Sequence, residues 1–128
     1  MDMQGSLRAR LVAAATAAGA RVYWVERPQG SDLPSITLQT ISGDRPQTYD
    51  GFQGWRETRV QADAWGTSYG EATGIREALI AAAAVLETVN GVRFDRTEFE
   101  NERDGLEQLE TGPVYRAGID LLVRHAPA

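Results

Sequence analysis

Arg59-Val60-Gln61-Ala62-Asp63-Ala64-Trp65-Gly66-Thr67-Ser68-Tyr69-Gly70-Glu71-Ala72 is the stretch on which the fold turns. Its first half alternates. Val60, Ala62 and Ala64 make one face of small apolar residues, and Arg59, Gln61 and Asp63 make the other, which is the two-residue period of a half-buried strand. At Gly66 the period changes. Ser68 and Glu71 have the spacing of a capping box: the serine oxygen takes the N3 amide and the glutamate reaches back to the cap amide. Beyond it Ala72, Ile75, Leu79, Ala82 and Leu86 form a helical stripe, with Asn90-Gly91 closing the element. A strand therefore runs directly into a helix, and its small side chains leave room for that helix to pack close.

Working outward, residues 3–18 read as a first helix. Leu7, Leu11, Ala14, Ala15 and Ala18 recur at helical spacing while Arg8, Arg10 and Thr16 fall elsewhere, and Gly19 is the stop. A strand over Arg21–Glu26 follows, then a turn at Pro28-Gln29-Gly30-Ser31-Asp32, then a strand over Ser35–Ser42 ended by Gly43. Residues 44–54 read as a long polar loop, and the central strand resumes near Trp55. After the second helix, one strand lies within Val92–Glu102. There Val92 and Phe94 share a parity that Phe99 breaks, so either a bulge sits near Asp95–Thr97 or the strand ends early. The last strand, Val114–Arg124, puts Tyr115, Ala117, Ile119, Leu121 and Val123 on one face and Arg116, Gly118, Asp120 and Arg124 on the other. The expectation is one α+β domain over residues 1–128. Its order is α-β-β-β-α-β-β, a largely antiparallel sheet with both helices packed on one face.

Composition narrows the chemistry. All thirteen basic residues are arginine, cysteine is absent and histidine occurs once, as His125. Without lysine there is no Schiff-base or P-loop chemistry. Without cysteine there is neither a disulfide framework nor a thiolate metal site. One histidine next to the C-terminus reads as a solvated tail residue, not the centre of a Ser-His-Asp relay. The net charge of −5 opposes a grip on nucleic acid, which needs clustered positive charge. Arg8 and Arg10 before the run Leu11–Ala20 mimic a signal peptide, but only Leu11 and Val12 are strongly apolar there, and helical spacing explains the run. No apolar run approaches the roughly 20 residues of a membrane span. The chain is expected to have no catalytic residue, no cofactor, no metal site and no membrane contact.

Two stretches invite a role. In the 44–56 loop, Tyr49, Phe52 and Trp55 stand among Asp44, Arg45, Gln47, Asp50, Gln53 and Arg56. Such aromatics either fold back over the sheet edge or meet a partner, because aromatics and arginine are enriched in interface cores. Residues 95–110 carry Asp95, Glu98, Glu100, Glu102, Asp104, Glu107 and Glu110. If the strand persists, Glu98, Glu100 and Glu102 line up about 7 Å apart. That row reads as a solvated face, as oxygen ligands for a hard cation (though without EF-hand spacing), or as a negative surface that keeps nucleic acid from sticking.

Several runs taken in order resemble the tail-terminator (tail-completion) proteins of long-tailed bacteriophages and gene transfer agents. They are Pro28-Gln29-Gly30, Leu33-Pro34-Ser35-Ile36, Gln39-Thr40-Ile41-Ser42-Gly43, Tyr49-Asp50-Gly51, and the opening stretch Arg59–Gly66 leading into Ser68-Tyr69-Gly70-Glu71-Ala72. The resemblance covers residues 6–88 well, the final strand loosely, and not the acidic segment 95–110. It implies a virion protein assembled in the host cytoplasm and placed at the neck end of the tail. There a homo-hexameric ring caps the tail tube, stops its polymerisation and offers a surface to the head-tail connector or stopper protein, while DNA passes through without specific binding. Independently of the resemblance, the aromatics of the loop are expected to bring Tyr49, Asp50, Phe52, Trp55 and Arg56 against the tube protein or the next subunit, and the run of glutamates alone suggests that Glu98, Glu100 and Glu102 face the lumen. The alternatives are another neck or minor tail component, or a small dimeric α+β ligand-binding domain with Trp24, Trp65 and Tyr115 around a pocket.

Overall fold

The structure, a computed structural model, describes residues 2–14, 16–26, 32–44, 47–48, 51–52, 55–109 and 112–127. The elements in chain order are α1 (Met3–Ala13), β1 (Val22–Trp24), β2 (Ser35–Asp44), β3 (Gln47–Thr48), β4 (Gly51–Phe52) and β5 (Arg56–Gly66). Then come α2 (Tyr69–Ala83), β6 (Glu87–Val89), β7 (Val92–Leu109) and β8 (Gly112–Pro127). Six strands form one sheet in the order β1-β2-β5-β8-β7-β6, and β3 pairs with β4 apart from it. Only β1–β2 is parallel; every other ladder is antiparallel. Both helices cover the same face, as the α+β reading expects. Leu7 and Leu11 of α1 and Ala72, Ile75 and Leu79 of α2 join Ile36, Leu38, Val60, Ala62, Ile119, Leu121 and Val123 in one buried core.

The small-residue face of the opening stretch does what its pattern dictates. Ala62 and Ala64 are 1% exposed beneath α2, where larger side chains would hold the helix off the sheet. At the helix start Ser68 Oγ accepts from the Glu71 amide at 3.1 Å. Glu71, however, reaches one residue further back than expected and accepts from the Thr67 amide at 2.9 Å.

Several sequence expectations are corrected. The first helix stops at Ala13, not at residue 18. The hydroxyl of Thr16 accepts from the Ala18 amide at 3.2 Å, a local bond that competes with the helical ladder. Arg10, set among the off-stripe residues, is 4% exposed. Its guanidinium donates to the carbonyls of Ala82 at 3.0 Å and Val85 at 2.6 Å and to Glu87 at 2.7 Å. It also lies 4.4 Å over the Phe94 ring. The Ala82 carbonyl lies in the last turn of α2 and the Val85 carbonyl just beyond its end, where the regular helical donors have run out. Arg10 thus caps the second helix from the first, and a positive charge suits that end of the helix dipole.

The second helix accordingly ends at Ala83, and Leu86, expected on its buried stripe, is 65% exposed. Asn90-Gly91 does not close that helix. It forms the β6–β7 hairpin turn with φ of 51° and 82°, and two consecutive positive φ values match the right-handed twist of the flanking strands. The expected 44–54 loop is also shorter: β2 continues to Asp44, pairing Gly43 with Thr58, after a register shift between Thr40 and Ser42. His125 is not a solvated tail residue. It is 5% exposed between Arg56 on β5 and Phe94 on β7, and its Nε2 lies 2.9 Å from Thr58 Oγ1.

Candidate assembly interface

The face of the sheet away from the helices is polar and tied together by ions. On β5 it presents Glu57, Arg59, Gln61, Asp63 and Trp65. On β8 it presents Arg116, Gly118, Asp120, Leu122 and Arg124, paired across the ladder with those residues. The expected bulge between Phe94 and Thr97 is present, and it restores Thr97 and Phe99 to the core side. Glu98 and Glu100 thereby fall on the polar face, opposite Leu122 and Asp120.

A second register shift, between Glu100 and Arg103, breaks the expected row of three glutamates. Asn101 there adopts φ 54°, two residues oppose one, and Arg103 instead of Glu102 takes the next place on the face. Beyond the bulge the acidic segment remains strand as far as Leu109.

Four of the charges on this face, Arg59, Glu100, Arg103 and Asp120, pair with one another. Arg59 donates to Glu100 at 3.0 Å and lies 3.5 Å from Asp120. Arg103 donates to Asp120 at 3.0 Å and Asn101 donates to it at 3.2 Å. Hydrogen bonding and the charge of Glu100 raise the Arg59 guanidinium above its ordinary value. Burial alone would raise the Asp120 carboxyl, but the hydrogen bonds from Asn101 and Arg103 and the charges of Arg103 and Arg59 hold it below the usual aspartate range. Asp63 is 7% exposed, with Oδ2 accepting from Gln61 at 2.9 Å and Oδ1 lying against Gly118 without a hydrogen bond. Close packing of that carboxylate is possible because residue 118 has no side chain.

On the helix side a second ionic group fixes α2 to β7. Tyr69 donates to Asp104 at 2.8 Å, and Arg76 donates to the same carboxylate at 3.1 Å. The hydrogen bond from the Tyr69 hydroxyl holds the Asp104 carboxyl below its ordinary value against the opposing effect of burial, and Arg76 adds to it through a hydrogen bond and its charge.

The residues expected to meet partners are divided. Tyr49 and Asp50 lie outside the described residues, and of Phe52 only the β4 backbone pairing with Gln47 is described. Trp55 is half-buried on the polar side, with the guanidinium groups of Arg93 and Arg124 at 4.5 and 5.4 Å from its ring. Arg56 is half-buried beside His125 on the other face. Trp55 borders an open cavity of about 500 Å³ with Leu86, Glu87, Arg93 and Asp95. The three aromatics of the ligand-pocket alternative do not converge. Trp24 donates to the Gln4 carbonyl at 2.9 Å under α1, Trp65 donates to Thr37 at 2.9 Å on the polar face, and Tyr115 packs on the core side. Among the described residues no group of three or more His, Asp or Glu side chains could hold a metal ion.

Sequence reasoning missed one feature of the surface, the open strand edges. β6 covers only Val92–Phe94 of β7, and β1 covers only Ile36–Leu38 of β2. Among the described residues nothing pairs with the outer edge of β7 from Asp95 to Leu109, or with that of β2 from Thr40 to Asp44. Hydropathy patterns report faces, not edges, so no signal in the sequence marks them.

Among the described residues the chain thus offers a helix-backed sheet with an ion-paired polar face and open strand edges. The chain belongs to the tail completion protein gp17 family, whose model matches residues 2–119. A chain in the virion of a native gene transfer agent (GTA) particle shares the fold with a TM-score of 0.65, covering 98% of this chain and 93% of that one at 15% identity. No curated protein matches the chain in sequence. The protein is a structural component of a phage-type tail.

Proposed function

We propose that copies of this protein close into a homo-hexameric ring on the end of the tail tube, stop its polymerisation and present a surface to the head's connector or stopper protein. The observation that carries this reading is the family match over residues 2–119. A tube grows by repeating one interface, so a terminator must bind the last tube ring on one side and offer a different surface on the other. Within the cap each copy meets the next head-to-tail, and the ring closes because the rotation per copy is fixed. Each contact removes roughly 800 Å² per partner if it is stable. The 44–56 segment, with Tyr49, Asp50, Phe52, Trp55 and Arg56, meets the tube or the adjacent copy. Glu98 and Glu100 face the lumen together with the ion-paired arginines, so DNA slides past a wall without a net positive patch. No step in this work needs a reactive group or cofactor.

The test is a deletion of the gene in the producing cell, with electron microscopy of the particles. The expected outcome is tails of irregular length and heads without tails, both corrected by the gene supplied in trans. Tails of normal length attached to heads in the deletion strain would remove the basis for this role.

A further inference from the structure

Among the described residues, two windows of unpaired backbone lie at opposite edges of the same sheet, and they lie at the same height. Thr40 is in line with Val60, Leu121 and Phe99; Ser42 with Arg59, Leu122 and Glu98; Gly43 with Thr58, Val123 and Thr97. The stretch of β2 that β1 leaves open is therefore level with the first stretch of β7 that β6 leaves open. The directions also agree. β2, β5, β8 and β7 alternate in direction, so β2 and β7 run antiparallel. A rotation about an axis along the strands preserves this, and β2 of one copy arrives antiparallel beside β7 of the next.

We propose that neighbouring copies of this chain join by pairing the β2 edge, residues 39–43, with the β7 edge, residues 97–100, so that one sheet runs continuously round the ring. This rests on the ring proposed above and names the surface that closes it. A ring without rise needs the two halves of its interface at equal height, and the register rows supply that. Open antiparallel edges supply the unmet backbone donors and acceptors.

Charge selects the partner. Within residues 97–100 β7 carries Glu98 and Glu100 and no basic residue, so two such windows would set carboxylates opposite one another, which is unfavourable. The β2 window, Gln39-Thr40-Ile41-Ser42-Gly43, bears no charge, and Ile41 within it is 49% exposed. Pairing is thus heterologous, β2 to β7, and the ring has one direction round its circumference. It also leaves the polar face unbroken, with Gln39 and Ser42 of one copy continuing the rows of Glu100 and Glu98 of its neighbour.

Because the chain has no cysteine, introduced thiols report the contact cleanly. One variant combines Ser42→Cys with Glu98→Cys and another Gln39→Cys with Glu100→Cys; Ser42→Cys with Glu100→Cys covers a slip of two residues. Within one copy each pair is three strand spacings apart, about 14 Å, whereas a disulfide needs Cα atoms within about 7 Å. Any cross-link is therefore between copies. All four positions are at the surface or half-buried, so the fold tolerates the change. Particles carrying each variant are oxidised mildly and run on a non-reducing gel. The expected result is a ladder from dimer to hexamer with at least one pair, reversed by reductant and absent from the single-cysteine variants. Particles whose rings are visible by electron microscopy but give no ladder with any pair overturn the edge pairing and leave the ring standing. Particles without a ring at the tube end overturn both.

Discussion

Lowering the pH from 7 to 5 will destabilise this protein through one group, His125. Its imidazole is pushed down from 6.5 to about 4, first by burial and then by the charge of Arg56. A histidine in the unfolded chain titrates near 6.5. Between those values the unfolded chain binds a proton that the fold does not, so stability falls as pH falls. Working through the two binding curves, the step from pH 7 to pH 5 costs about 2 kcal/mol, and the whole window costs about 3 kcal/mol. For a domain of this size 2 kcal/mol is a drop in Tm of roughly 6–10 °C. The depressed carboxylates, Asp104 and Asp120, act in a separate window. Their contribution is present above the ordinary aspartate pKa and is lost only as pH falls below about 4. The assay is thermal unfolding at pH 7 and pH 5 for the parent and for His125→Gln, which keeps a hydrogen-bonding side chain beside Thr58 but cannot titrate. The parent is expected to show the drop and the variant to lose most of it. Because His125 is the only histidine, its ring protons also give the midpoint directly by NMR. A variant that loses as much Tm as the parent, or a midpoint near 6.5, would refute the reasoning.

Arg10→Met removes the donors that cap α2 while keeping the apolar stem over Phe94; it is expected to cost about 3 kcal/mol by chemical denaturation, and a loss within 0.5 kcal/mol (about the scatter of neutral surface changes) would count against the cap. Gly118→Ala places a methyl against the Asp63 carboxylate and should cost about 1–3 kcal/mol, with a smaller cost in an Asp63→Ala background because the clash is then gone. Gly91→Ala strains the β6–β7 turn, where φ is 82°, and should cost about 1 kcal/mol in the same assay. Phe52→Ala with Trp55→Ala is expected to leave a cooperative fold, at a cost of about 1–2 kcal/mol from the lost Trp55 contacts with Arg93 and Arg124, and to abolish tail joining; a normal particle yield would remove the 44–56 segment from the interface.

The sequence by itself determined the faces. Alternation in 59–65 and 114–124, the cap at Ser68 and the helical stripe after it rest on interactions between residues a few positions apart, and the structure keeps them except for Leu86 at the end of the stripe. The broken parity of Phe94 and Phe99 was legible for the same reason, but it left a bulge and an early strand end equally open, and the pairing with β8 decides for the bulge. Tertiary structure decided what depends on distant partners. Arg10 is buried because the end of α2, over seventy residues away, needs donors. Leu86 is exposed because that cap ends the helix early, which frees Asn90-Gly91 to turn a hairpin. His125 is buried because β8 runs between β5 and β7 to its end. Glu102 leaves its row because Arg103 is drawn to Asp120 on the neighbouring strand. The open edges of β2 and β7 follow from how far β1 and β6 reach along them, a matter of pairing between strands that no local pattern of side chains encodes.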